Sequence, residues 1–129
     1  MIRILIVDDH ALVRAGLKKF LSTEPDFEVL EAANGEDAVI LSGEHRPDVI
    51  LMDLMLPGID GVEATKRCLE AHPEAKVIIL TSLPDDDKVL PAIRAGALSY
   101  LLKDVSPEEL IDAVRDAARG KATFHPVAA

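Results

Sequence analysis

The chain has 129 residues, which suits one domain, and 49% of them are hydrophobic, enough apolar material for a core. Its formal net charge is −9 with fourteen Lys and Arg scattered along it, which argues against nucleic-acid binding by this chain alone; no apolar run approaches the ~18 residues of a membrane span. The single cysteine, Cys68, excludes an internal disulfide or a cysteine metal cluster and reads as a small apolar helix residue, and one tyrosine with no tryptophan makes the core aliphatic.

Met1-Ile2-Arg3-Ile4-Leu5 enters a strand without the layout of a signal peptide, so the cytoplasm is the expected compartment. This first strand runs from Ile2 to Val7 and leads into Asp8 and Asp9. A helix follows with Leu12, Val13, Leu17, Phe20 and Leu21 on its apolar stripe, and Asp8 or Asp9 is available to cap it. Phe27 to Ala33 is a second strand, and Asn34-Gly35 turns into a helix carrying Ala38, Val39 and Leu41. Val49-Ile50-Leu51-Met52 is too short for a helix and too uniform for a half-exposed strand. It reads as a strand buried on both faces, ending at Asp53, with Pro57-Gly58 turning the chain. Asp60 opens a third helix that runs through Val62, Cys68 and Leu69 to about His72-Pro73. Lys76 to Thr81 is a fourth buried strand, with the hydroxyls of Thr81 and Ser82 at its end.

Pro84-Asp85-Asp86-Asp87 reads as a solvated loop and helix start. The fourth helix is expected to begin late, near Asp87 or Lys88, so that Pro91 falls in its first turn, and to stop at Ala95-Gly96. Leu98 to Leu102 is a fifth strand ending at Lys103. Ser106-Pro107-Glu108-Glu109 carries a capping box with proline at the first helical position, opening a last helix to Gly120. Residues 121–129 read as a partly ordered tail. Strands alternating with helices predict an α/β fold with a parallel sheet covered on both faces. No Rossmann glycine fingerprint follows the first strand, which disfavours a dinucleotide role.

In a parallel sheet the strand ends share one edge, where open α/β sheets place their ligand sites. Asp8, Asp9, Asp53, Thr81 with Ser82, and Lys103 therefore converge. Three close carboxylates repel one another and raise each other's pKa, and a divalent cation relieves that repulsion. Oxygen ligands on a hard site suit Mg2+. His10, His45, His72 and His125 have no metal-site spacing and read as surface or capping residues.

This set of residues in this order resembles the receiver domain of bacterial response regulators, over nearly the whole chain. The resemblance is carried by Asp8-Asp9, by Asp53 within Leu51-Met52-Asp53-Leu54-Met55-Leu56-Pro57-Gly58-Ile59-Asp60-Gly61, and by Thr81, Tyr100 and Lys103. Asp8-Asp9-His10-Ala11-Leu12-Val13-Arg14-Ala15-Gly16-Leu17, Arg94-Ala95-Gly96-Ala97 and Leu101-Leu102-Lys103-Asp104 look most like the subfamily with a C-terminal LuxR-type helix-turn-helix output domain. The resemblance implies a flavodoxin-like doubly wound (βα)5 fold with strand order 2-1-3-4-5, as in flavodoxin and the chemotaxis receiver. It implies that residues 1–120 form the receiver and that 121–129 are a tail or the start of a linker to an absent output domain.

The resemblance also assigns roles. Asp53 is the phosphoacceptor, taking its phosphoryl group from a sensor histidine kinase. Mg2+ is held by Asp9, Asp53 and the backbone carbonyl of Met55, with Asp8 acting mostly through water. Lys103 pairs with Asp53 and then with the phosphoryl oxygens, Thr81 moves toward the new group, and Tyr100 swings inward into the vacated space. DNA would be reached only through the missing output domain, and a homodimer on phosphorylation is allowed. Only self-catalysed phosphotransfer and slow autodephosphorylation are expected, not turnover as an enzyme. Asp104 stands where many receivers have a proline, and Met55 where many have a polar side chain. An aspartate-nucleophile phosphatase would resemble a pattern with a second aspartate at the Met55 position, so that reading lacks its general acid. A degenerate receiver acting only as an interaction module is the third reading, and the set Asp9, Asp53, Thr81 and Lys103 argues against it.

Overall fold

The computed structural model describes residues 1–82 and 87–122. Its elements follow in strict alternation: β1 (Ile2–Val7), α1 (Ala11–Leu21), β2 (Phe27–Ala32), α2 (Gly35–His45), β3 (Val49–Asp53), α3 (Gly61–Ala71), β4 (Lys76–Thr81), α4 (Val89–Arg94), β5 (Ser99–Leu102) and α5 (Pro107–Ala118). The five strands form one parallel sheet in the order β2-β1-β3-β4-β5. This is the doubly wound, flavodoxin-like arrangement.

β3 is buried at every position, as its unbroken apolar run requires of a central strand covered on both faces. Alternate strand residues feed two cores. Leu5, Val7, Ile50, Met52, Val77, Ile79 and Tyr100 pack with Ala38 of α2, Ala64 and Cys68 of α3, and Ala92 of α4. Ile4, Ile6, Leu51, Ile78 and Leu101 pack on the other face with Leu21 of α1 and with Leu110, Ala113, Val114 and Ala117 of α5. Cys68 is wholly buried, as an apolar helix residue should be, and burial pushes its thiol pKa up.

Local chemistry sets the helix starts. Asn34, Asp60 and Ser106 each accept an N–H three residues on, from Asp37 at 2.8 Å, Glu63 at 2.9 Å and Glu109 at 3.1 Å. Pro107 follows Ser106 at the first helical position. α4 begins at Val89, so Pro91 does lie in the first turn, where its missing N–H has no helical partner to lose.

Two expectations need correction. α1 is not capped by Asp8 or Asp9: His10 occupies the N-cap without a side-chain cap, because the Asp8 carboxylate is turned into the sheet edge and takes the His10 N–H from in front of the helix at 2.8 Å. Leu12 is not on the apolar stripe but 86% exposed, and Val13 is exposed too; α1 touches the sheet mainly through Leu17, Phe20 and Leu21. Of the surface and capping roles expected for the histidines, His72 takes the second. It caps α3 with its ring buried and its Nε2 3.0 Å from the Pro47 carbonyl, tying α3 to the start of β3. Asp87 is exposed, whereas Asp85, Asp86, His125 and residues 123–129 lie outside the described residues.

Candidate functional site

Strand register brings the polar strand ends together. Val7 pairs with Met52, so Asp8 and Asp53 each lie one residue further, side by side on neighbouring strands. Thr81 pairs with Leu102, and the Lys103 N–H donates to the Thr81 carbonyl at 2.8 Å, which brings Lys103 to the same edge. Asp8 and Asp53 are buried, Asp9 is exposed and Lys103 is partly covered.

Lys103 Nζ bridges the two buried carboxylates, 2.9 Å from Asp8 Oδ2 and 3.2 Å from Asp53 Oδ2. The resemblance singled out the pair with Asp53; the contact with Asp8 is the shorter. Asp53 Oδ1 accepts the Met55 N–H at 3.2 Å, while the Met55 side chain points to solvent. Ligand atoms of Asp8, Asp9, His10 and Asp53 all lie within 4.8 Å of one another. Thr81 is buried, and Tyr100 is wholly buried in the core with Ala92 and Ile79, already inward of the surface. Ser82 is exposed just past β4.

The electrostatics distinguish the carboxylates. Burial pushes the Asp53 pKa up, reinforced by the Asp8 charge, and the charge of Lys103 and the Met55 N–H only partly offset it. Burial would raise Asp8 as well, but hydrogen bonds from Lys103 and His10 hold it below the ordinary carboxylate value. Burial would lower Lys103, and its bond to Asp8 and the charges of Asp53 and Asp8 reverse that and raise it. Three carboxylates facing one ammonium leave a pocket of excess negative charge, with hard oxygen donors and an exposed acid, Asp9, at its mouth. That donor set fits a divalent cation of the Mg2+ type.

His10 joins the site, although its sequence context reads as surface or capping. Its Nδ1 lies 3.1 Å from Asp9 Oδ1 and 3.2 Å from Asp8 Oδ1, within the acidic cluster. The signal was its place directly after a strand-end acid pair.

Fold and site together define a flavodoxin-like α/β domain with a cation-suited acidic pocket and a bridging lysine at the carboxyl edge of its sheet. The sequence matches the family described as "Response regulator receiver domain" over residues 4–115, and the chain belongs to that family. It is 53% identical over 122 residues to the transcriptional regulatory protein LiaR of Bacillus subtilis, covering 94% of this chain and 58% of that protein. It is 45% identical over 126 residues to the response regulator protein VraR of Staphylococcus aureus, covering 97% of this chain and 60% of the relative. The chain thus spans somewhat over half the length of these curated relatives. Among solved structures it is similar to a LuxR-family two-component response regulator from Aurantimonas sp. SI85-9A1, with a TM-score of 0.89 and 36% identity over 98% of this chain and 91% of that one. The response regulator domain of Thermotoga maritima CheB superposes with a TM-score of 0.84 at 33% identity, covering 92% of this chain and 97% of that one.

Proposed function

We propose that this receiver accepts a phosphoryl group on Asp53 from a phosphohistidine of a sensor kinase and relays the change to an output face. The observation that carries the reading is Asp53 itself: a buried carboxylate at the end of the central strand, bridged by Lys103 Nζ to Asp8 beside an exposed acid. One Asp53 oxygen attacks phosphorus, the P–N bond breaks, and its electron pair returns to the kinase imidazole, which takes up a proton. Lys103 compensates charge on the phosphoryl oxygens as it leaves Asp53, and the Met55 N–H holds the other carboxylate oxygen in place.

Mg2+ would be held by Asp9, Asp53 and the Met55 carbonyl, with Asp8 through water, and when bound it supplies positive charge against the phosphoryl oxygens. Thr81, buried on the neighbouring strand end, donates its hydroxyl to the new group, and Tyr100 responds in the core behind α4. Met55 offers no acid to speed hydrolysis, which favours a lasting adduct over turnover. Residues 1–120 form the switch, and 121–129 lead toward an output domain, through which DNA would be bound in the cytoplasm.

Intact-mass measurement after acetyl phosphate and Mg2+ tests the reading. A single lasting phosphoryl adduct that maps to Asp53 supports it. Rapid multiple turnover points to a phosphatase, and no adduct points to an interaction module.

A further inference from the structure

The pocket at the sheet edge contains one nitrogen donor among its carboxylates. His10 sits at the N-cap of α1 with its side chain 67% exposed, so the ring is accessible to an incoming ion. Its Nδ1 is 3.1 Å from Asp9 Oδ1 and 3.2 Å from Asp8 Oδ1, and the same group of ligand atoms reaches Asp53 within 4.8 Å. Two ligands at right angles on a metal, each about 2.1 Å from it, stand about 3.0 Å apart. The spacing of Nδ1 from both acids is thus close to that of neighbouring ligands on one ion. The backbone keeps it there: the His10 N–H is anchored on Asp8 Oδ1 at 2.8 Å, and Arg14 one turn on holds the Asp8 carbonyl at 2.6 Å.

Resting on the reading of Asp9 and Asp53 as the metal pocket, we propose that His10 Nδ1 is an additional ligand that sets cation preference, admitting later first-row divalent ions over Mg2+. The physical basis is ligand softness. Mg2+ favours oxygen and keeps its waters, so it gains little from an imidazole in place of one of them. Later first-row ions bind imidazole well, and their affinity for mixed nitrogen and oxygen sites rises along the series toward copper. Without an ion Nδ1 shares a hydrogen bond with Asp8 Oδ1 at 3.2 Å; to ligate, the neutral ring carries its proton on Nε2 instead, so ion entry replaces that hydrogen bond with a metal bond. An acidic pocket of this kind with oxygen donors alone would discriminate less strongly in favour of such ions.

The test uses the whole chain with Co2+ and Mg2+ as probes, titrated calorimetrically into wild type, His10→Asn and Asp9→Ala. Asparagine is a good N-cap residue, so it preserves the start of α1 and removes the imidazole. The expected result is Co2+ affinity lowered about tenfold or more in His10→Asn, the scale of metal-site perturbations, with Mg2+ affinity within about twofold of wild type. The visible spectrum of bound Co2+ should change as the nitrogen ligand is lost. Unchanged Co2+ affinity and spectrum in His10→Asn would overturn the proposal. An equal fall for both ions would also overturn it, making His10 only a positioning residue for Asp8 and Asp9. Asp9→Ala keeps the two ideas apart: if it leaves both ions bound as in wild type, the pocket itself is misassigned, whatever His10 does.

Discussion

Asp8 and Asp53 stand on neighbouring strands and share one lysine, yet their pKa values move in opposite directions. Asp8 is held low, so its contribution to stability is present above the ordinary carboxylate value and is lost as pH falls through its folded value. Asp53 is raised, so its ionisation costs the native state stability as pH rises from 3.8 through its folded value. Metal-free Asp53→Asn should therefore unfold at a higher urea concentration than wild type at neutral pH, and the gap should narrow as pH falls through the raised Asp53 pKa toward 3.8. The same variant should form no stable phosphoryl adduct by intact mass while keeping its circular dichroism spectrum; unchanged labelling mapped elsewhere would remove Asp53 from its proposed role. Asp9→Ala should weaken Mg2+ by about tenfold or more, because an exposed charged ligand is lost at the mouth of the pocket; equal affinity by titration would contradict this. The acids and Lys103 were legible in the sequence because each ends a strand. His10 and His72 were not, since a lone histidine carries no periodicity and its neighbours are set by distant segments.

At the scale of elements, the site depends on how closely α3 meets the end of β3. Gly61 opens α3, its N–H bonds the Leu54 carbonyl at 3.0 Å, and a methyl group there would fall 2.3 Å from the Asp53 carbonyl oxygen and 2.7 Å from Leu54 Cα. Both are backbone atoms that cannot turn aside. Gly61→Ala should cost about 1–3 kcal/mol in urea unfolding, the range for overpacking, and should slow phosphorylation by shifting the backbone that carries Asp53. Arg46 presents the reverse case. It closes α2 with φ 48° in the left-handed region, and its pair with Glu74 at 3.1 Å is exposed on both sides. A non-glycine residue there is strained by about 1–2 kcal/mol and an exposed pair is worth about 0–1 kcal/mol. Arg46→Gly should therefore raise stability by up to about 1 kcal/mol, and a lower urea midpoint would show that the Glu74 contact matters more than the backbone. The order of elements and the late start of α4 were readable from apolar runs, caps and Pro91. The outward turn of Leu12 was not, because α1 lies on the sheet with its C-terminal half and leaves its first turn outside.

Across the whole molecule, the proposed switch carries a change at the sheet edge into the core behind α4. Thr81 ends β4 opposite Leu102, and Tyr100, two residues earlier on β5 and opposite Ile79, is buried in the same core as Ala92 of α4. Modification can act only by favouring one of two conformers that both exist beforehand. On the proposed switch, the buried Tyr100 of this structure is one of the two conformers. Thr81→Ala should still take phosphate at Asp53, more slowly, and should shift the output face less. Amide NMR of wild type and Thr81→Ala, each with and without beryllofluoride, checks this; equal perturbation of Tyr100 and α4 in both proteins would show that Thr81 does not carry the signal.

The sequence by itself determined the alternation of strands and helices, the two-sided burial of β3 and the set of acids, hydroxyls and lysine at the strand ends. Those follow from local periodicity and from the geometry of any parallel sheet, in which every strand finishes on one edge. Strand order was expected only through the family resemblance, not from the residues themselves, and register came from tertiary structure, because pairing joins residues far apart in the chain: Val7 with Met52, Asp53 with Leu80, Thr81 with Leu102. Register in turn decided that Lys103 bridges Asp8 as well as Asp53, that the environment holds the Asp8 pKa below and the Asp53 pKa above the ordinary carboxylate value, and that His10 joins the acidic cluster. Burial and charge at a point in space depend on which segments meet there, and no single stretch of this chain contains that information.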